Sequence, residues 1–480
     1  MASVKAKIIS QKDKINAFLL PFLISYFVLI LLPYCFRYVP TLNVFFTSLY
    51  TKVAFRGFTV LYFFVYSILV GISNQQKINI HWLILTSILV ATFVVAWIVT
   101  PKTFEYIVRP ATNRVLVYNT EYVGELDLIV SFGLFLCECL VFLFTISFLP
   151  RAVTSRKQIA YFLGFVAAFC ATACLASYFI DFKLYFGFAT SGIVNEYGIS
   201  SIFHNKNEFG IFVFLGCLSS GFLCCYLPFK KSIPFLFGFV QFVINSLLIK
   251  CFTAALPCLF LAISISTYAF VRQWNSHRLL SVILLILLGC FFTGITLCVA
   301  LPTIRGNVKI FGGIYNTITT FGDEISSRTD IWDLVPLIMD GPSLFIGKTD
   351  AIANAELLAC LSVKTVATLI DFHDSFVSFL TSHGLIGLFI YLAIHAKVVK
   401  SILELWKHNE RKCSLLLILF FACILFSMPE TYTLFINMSA STFPITILFL
   451  VFLPFLVKEF SEKKLEFDTS GGQINPEEAQ

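Results

Sequence analysis

The stretch LIVSFGLFLCECLVFLFTISFL, residues 128 to 149, contains one charged residue, Glu138. Wound as α-helix it rises about 33 Å, enough to cross the ~30 Å hydrocarbon layer of a bilayer. An ionised side chain at the bilayer centre costs at least about 2.5–3.5 kcal/mol. Glu138 is therefore expected to face the interior of a helix bundle, where a neutral, hydrogen-bonded carboxyl is the favoured reading.

Runs of the same kind recur along the chain. Hydrophobic residues make up 58% of the 480 positions and charged residues 13%, against roughly a quarter charged in soluble domains; the mean hydropathy is +0.88. That balance excludes a soluble enzyme. Spans are predicted near 17–36, 58–74, 80–100, 127–149, 158–180, 208–227, 233–249, 252–271, 279–301, 377–396, 413–428 and 434–457. The expected fold is all-α: a polytopic transmembrane bundle of about 12 helices with one long extracytoplasmic loop that contains short helices. Four segments follow: transmembrane helices over 1–301, the loop over 302–376, further transmembrane helices over 377–457, and a polar tail over 458–480.

Lysine and arginine in the short connections set the orientation. Lys77, Arg151, Arg156, Lys157, Lys230, Lys231, Arg272, Arg278, Lys397, Lys400, Lys407, Arg411 and Lys412 fall on one side, which puts both termini in the cytoplasm. Arg37, Lys52, Arg56, Lys102, Arg109 and Arg114 fall on the other, so the bias is strong only in the second half. The first apolar run, preceded by Lys5, Lys7, Lys12 and Lys14, reads as a signal anchor retained as a helix.

Most of the fifteen cysteines, Cys137, Cys139, Cys170, Cys174, Cys224, Cys225 and Cys290 among them, lie inside apolar runs and read as small packing residues. Cys360 is alone in the polar loop. No Walker loop, HExxH, GxSxG or paired CxxC occurs, so neither a nucleotide cofactor nor a protein-bound metal is expected. No internal repeat and no matched pair of broken helices marks the inverted halves of a transporter.

Polar groups gather in three places. The first is His204-Asn-Lys-Asn207, leading into the sixth span; free backbone N–H groups at a helix start attract anionic oxygen, although Asn207 as a simple helix cap competes with that reading. The second is Ser327-Arg328 with Trp332. Arg328 can fork onto phosphate oxygens, and a surface pairing with Asp330 or Asp333 is its bland alternative. The third is His373-Asp374 before the tenth span, where a carboxylate beside a histidine can hold one tautomer for proton transfer. A histidine bonded only to a loop carbonyl explains the residues equally well. Lys250, between two spans, is a further exposed cation.

In their order these segments resemble the O-antigen ligase and Wzy polymerase superfamily of bacterial envelope glycan enzymes. The match rests on Asn205-Lys-Asn207 with Gly210, on Ser327-Arg328 with Trp332, on Gly347-Lys348, and on His373-Asp374-Ser-Phe376 followed by Gly384-Leu-Ile-Gly387. Three features depart from the family: the arginine ahead of the first motif is absent, Lys250 stands where a Ser-Arg is usual, and Asp374 replaces an asparagine. The resemblance implies metal-independent, inverting glycosyl transfer from an undecaprenyl-diphosphate-linked oligosaccharide. Arg328, with Lys250 or Lys206, would take the diphosphate. His204, Asn205, Asn207 and Trp332 would line the substrate site, and His373 with Asp374 would handle the acceptor hydroxyl. The expected partners are the lipid-linked donor, the bilayer, a chain-length regulator and a flippase, with no nucleic acid. The expected place is a bacterial cytoplasmic membrane. A polymerase of repeat units for capsule, exopolysaccharide or O-antigen is the leading reading; a ligase moving a finished glycan to another acceptor, and a flippase of lipid-linked sugars, are the alternatives.

Overall fold

The computed structural model describes residues 2–34, 49–108, 117–181, 199–203, 206–249, 251–274, 301–302, 315, 328–329, 331–361, 372–430, 432–437 and 439–459. Among them, eight helices are long and apolar enough to cross a membrane: Val53–Ser73, Ile80–Val99, Glu125–Ala152, Arg156–Ile180, Lys206–Tyr226, Phe229–Leu248, Phe252–Val271 and Ser375–Lys407. Each coincides with a predicted span. The chain is a membrane protein built of helices, with one addition to the all-α expectation. A two-stranded antiparallel hairpin, β1 (Thr103–Val108) and β2 (Val117–Tyr122), joins two of the helices, Thr103 opposite Tyr122.

The helices that position the site are α1 (Leu19–Leu31), α2 (Leu49–Ser73), α3 (Ile80–Val99), α4 (Glu125–Phe148), α5 (Arg156–Ile180), α6 (Lys206–Tyr226), α7 (Phe229–Leu248), α8 (Phe252–Trp274), α9 (Asp350–Leu361), α10 (Ser375–Glu404), α11 (Glu410–Ser427) and α12 (Phe443–Thr446). The starts of several follow from local chemistry. Asn79 caps α3 by accepting from the His81 N–H, Ser155 and Gln158 form a capping box on α5, and Asn409 caps α11 from the Lys412 N–H. Helix α6 is buried along most of its length and packs on α5, α7, α8 and α11. Its apolar residues point in all directions because protein surrounds it. Polar pairs tie helices together where lipid supplies no partner: Asn16 with Asn74, Ser25 with Tyr62 at 2.7 Å, and Asn245 donating to the Tyr178 hydroxyl at 3.0 Å.

Several expectations need correction. The second span was expected to begin at 58, but α2 begins at Leu49, so Arg56 sits within a helix. There it meets Glu138 of α4, nitrogen to oxygen 3.1 Å. Glu138 thus accepts a hydrogen bond from Arg56, a partner that the sequence reading places in a loop. The twelfth span, expected from 434, starts at Phe443. Its first residues instead form turns closed by polar side chains: Asn437 accepts from the Ser439 N–H at 2.9 Å, and Thr442 donates to the Asn437 carbonyl. Such side-chain bonds compete with helix. The first and eleventh spans are helices, α1 continuing to Tyr34 as a shorter apolar unit and α11 opening on Glu410, Arg411 and Lys412. The ninth expected span lies outside the described residues, as do the tail beyond 459 and much of the 302–376 loop. The tail's first acid is anchored: Arg156 and Glu459 pair at 2.6 Å. The eleven cysteines described with side chains are free thiols, eight of them buried.

One break in α10 shapes the site. Gly384 has φ 65° and leaves the helical path, which frees the Thr381 and Ser382 carbonyls. The backbone N–H groups of Lys348 and Thr349 take them, at 2.9 and 3.0 Å. Gly347, φ 79°, faces the break so closely that a Cβ on it would lie 2.3 Å from Ser382, and a Cβ on Gly384 would lie 2.3 Å from Phe345. Only glycine fits at either position. The short helix Ser343–Ile346 is thereby docked against α10.

Candidate functional site

At the end of the bundle where α6, α8 and α10 begin and α11 finishes, four segments meet around one carboxylate. Pro429 follows the end of α11, and Glu430 projects from it, buried. Its Oε1 accepts from the Thr253 hydroxyl at 3.0 Å and from the Asn207 amide at 3.4 Å, and lies 3.7 Å from the Arg328 guanidinium. Its Oε2 lies 3.5 Å from Nδ1 of His373. Arg328 is further fixed by donating from Nε to the Pro429 carbonyl at 3.1 Å and by standing 5.9 Å over the Phe252 ring. These residues are separated by up to 223 positions in the chain.

Local structure aims each group. Asn207 is in the first turn of α6 and directs its amide at Glu430, so it is not the simple cap that competed with the anion reading. Thr253 is in the first turn of α8. His373 adopts a left-handed backbone, φ 48°, unusual for a non-glycine residue and costing on the order of 1 kcal/mol. That turn lets the chain enter α10 with the imidazole facing Glu430. Trp332 does not join the cluster; its indole N–H donates to the Phe372 carbonyl at 2.9 Å, and it packs with Ile331, Leu357 and Phe372. It acts as a strut that holds the residue before His373 against the loop.

Asp374 behaves differently from its expected role. Its carboxylate caps α10, accepting from the Phe376 and Val377 N–H groups at 2.7 and 2.8 Å. Burial pushes this carboxyl up to about 6, the two backbone donors only partly opposing it. The carboxylate facing His373 belongs to Glu430, 3.5 Å from Nδ1, and not to Asp374. Lys206 opens α6 next to Asn207. His204, Asn205 and Lys250 lie outside the described residues, and so does Asp330. Of the two surface partners considered for Arg328, Asp333 is superseded by Glu430.

Two features escaped the sequence reading altogether. Glu430 stands in a short connector after Met428-Pro429, where an acid looks like ordinary loop polarity; its only signal is its position at the edge of an apolar run. Lys348 forms a buried pair with Glu356, Nζ at 2.9 Å from both carboxylate oxygens. Its signal was the resemblance at Gly347-Lys348, which said nothing of a partner eight residues on.

A second polar group lies at the same end. Tyr34, where the α1 unit stops, meets the Phe212 ring of α6 edge-on, and Arg56 of α2 pairs with Glu138 of α4. No known family model matches the chain, and no curated protein does. One cation, one imidazole, one amide and one hydroxyl around a single buried carboxylate can bind an anion and move a proton. Among the described residues no group of histidine, cysteine and carboxylate side chains has the makings of a metal centre.

Proposed function

We propose that the chain is a membrane glycosyltransferase that polymerises undecaprenyl-diphosphate-linked oligosaccharide repeat units at the outer face of a bacterial cytoplasmic membrane. The observation that carries this reading is the gathering of Arg328, His373 and Asn207 around Glu430. They come from three separate motifs, Asn207 in the first turn of α6 and His373 just before α10, and meet at one end of an apolar bundle. A lipid-anchored donor delivers its diphosphate at that depth, with the polyprenyl tail still in the bilayer.

In the proposed reaction the diphosphate competes with Glu430 for Arg328, which spans a loose 3.7 Å in the resting site. A guanidinium fork is suited to two phosphate oxygens, and Asn207 and Thr253 can donate to others. The acceptor hydroxyl oxygen attacks the anomeric carbon as the bond to the diphosphate oxygen breaks, with inversion. Arg328 stabilises the charge growing on the leaving group. With Nδ1–H turned toward Glu430, 3.5 Å away in the resting site, Nε2 of His373 is left as the base that receives the hydroxyl proton. The region of Tyr34, Arg56 and Glu138 supplies polar groups for a sugar chain.

The test is a reconstituted reaction with the purified protein, a polyprenyl-diphosphate-linked repeat unit and a chelator, without nucleotide. A ladder of products that disappears in Glu430→Gln, while that variant keeps its Tm, supports the reading. Wild-type protein that leaves the donor intact in the presence of repeat-unit acceptor, yet transfers it to a different acceptor, would replace polymerase by ligase. No consumption of donor under either condition would remove the enzyme reading.

A further inference from the structure

The opposite end of the bundle carries a cavity that the proposed reaction does not use. It is about 390 Å³, walled by Trp82 of α3, by the last part of α10 and by the helix that continues α12. Apolar side chains, Trp82, Val398, Phe449 and Val457, make its deep side; Lys397, Lys458 and Ser401 stand at its mouth with a single acid, Glu404. Asn79, Ile146 and Pro150 are shared with an adjoining hollow of about 280 Å³ that adds Lys77 and Arg151. Lys77, Arg151 and Lys397 are exposed and form no ion pair among the described residues. Two cations, Lys397 and Lys458, thus stand at the larger hollow and two more, Lys77 and Arg151, at the smaller one adjoining it, against one carboxylate, Glu404.

The arrangement has two halves that a single ligand class satisfies. A tryptophan near the start of a crossing helix, with lysines on the last turns of another, marks the level where a bilayer meets water. A basic pocket between helices at that level matches an anionic headgroup, while the apolar wall beneath matches acyl chain. A soluble anion would use the lysines and leave the wall of Trp82 and Phe449 unfilled. A zwitterionic lipid would use the wall and place its own cation against four others.

We infer that this cavity binds one anionic glycerophospholipid, its phosphate between Lys397 and Arg151 and a chain along Trp82 and Phe449. The site joins α3, α4, α10 and the C-terminal helix, so an occupant clamps the far half of the helix whose near end carries His373.

Native mass spectrometry of the full chain, released from detergent micelles doped with either phosphatidylglycerol or phosphatidylcholine, tests the inference. The expected result is one phosphatidylglycerol retained about tenfold more tightly than phosphatidylcholine, since each surface cation contributes on the order of 1 kcal/mol toward an anionic lipid. The preference should vanish in Lys397→Gln/Arg151→Gln, two exposed positions whose replacement leaves the apolar wall intact. Equal retention of the two lipids by wild type overturns the proposal without recourse to any variant. So does an undiminished preference in the double variant. Displacement of bound phosphatidylglycerol by millimolar inorganic phosphate would show an anion site with no role for the chain, and would also overturn it.

Discussion

Glu356 and Glu430 are both buried at the same end of the bundle, yet they are held in opposite ways. Glu356 takes two short bonds of 2.9 Å from one ammonium, that of Lys348, which also lies 3.4 Å from Asp340. Glu430 has four partners from four segments, and three of its contacts are 3.4 Å or longer. Short bonds to both carboxylate oxygens leave little for a ligand. A carboxylate surrounded by long contacts leaves Arg328 and His373 with capacity for other oxygen atoms. The difference separates scaffold from site, although both read as buried ion pairs.

The largest expected effect lies on the scaffold side. Replacing Gly384 by alanine puts a Cβ 2.3 Å from the Phe345 backbone at a φ that alanine avoids, and neither group is a flexible side-chain end. A loss of about 5 kcal/mol or more, at the upper limit for single substitutions, is expected. The purified yield and Tm of Gly384→Ala read it. A variant that melts like wild type would mean that the Ser343–Ile346 helix is not locked to α10.

Next comes the closed pair itself. Lys348→Met takes the ammonium and its two 2.9 Å bonds from a buried carboxylate, for which about 3–5 kcal/mol is the usual cost. Removing both charges in Lys348→Met/Glu356→Leu should recover most of that, because two well-packed apolar groups leave nothing unsatisfied. If the double variant melts as low as the single one, Lys348 has a further task, and the contrast with Glu430 weakens.

Arg328→Ala should reverse the pattern. Loss of one preorganised donor to a developing charge costs roughly 10²–10³ in rate, about 2.7–4 kcal/mol on the barrier. Its Tm should change less than that of Lys348→Met, since the Glu430 carboxylate it leaves keeps Thr253 and Asn207 as donors. Turnover of the lipid-linked donor and thermal melting, measured on one preparation, check both halves. A large drop in Tm with the rate per folded molecule intact would move Arg328 to the scaffold.

What the sequence made legible follows from which signals are local. Apolar runs are local, and eight predicted spans stand as crossing-length helices. The choice of Arg328, His373 and Asn207 was legible because each sits at the junction of a polar stretch and an apolar run. Their common partner was not: Glu430 owes its role to tertiary contacts up to 223 positions away. Arg56 was assigned to a loop because a charge ends a hydropathy window, whereas Glu138 lets it remain inside α2. Asp374 was taken for the partner of His373 on adjacency alone. Adjacent residues at a helix start point different ways, and a carboxylate preceding a first turn is drawn to its free N–H groups.

Asp374 extends the comparison to a third buried carboxylate, one with amides alone as donors. Its carboxyl sits at about 6 against an ordinary 3.8. Below the ordinary value the folded and unfolded forms are both protonated, so nothing is gained or lost. Between the two values the unfolded chain ionises while the folded one keeps its proton, and stability falls as pH rises. Above about 6 the deficit is constant, at most about 3 kcal/mol. Asparagine caps a helix as well as aspartate does and does not titrate. The Tm of Asp374→Asn should therefore match wild type near pH 4 and exceed it increasingly up to pH 6 and a little beyond. A gap that stays flat or narrows with pH would show that two backbone N–H groups are enough to hold a charge there, and the cation on Glu356 would then be a matter of geometry rather than need.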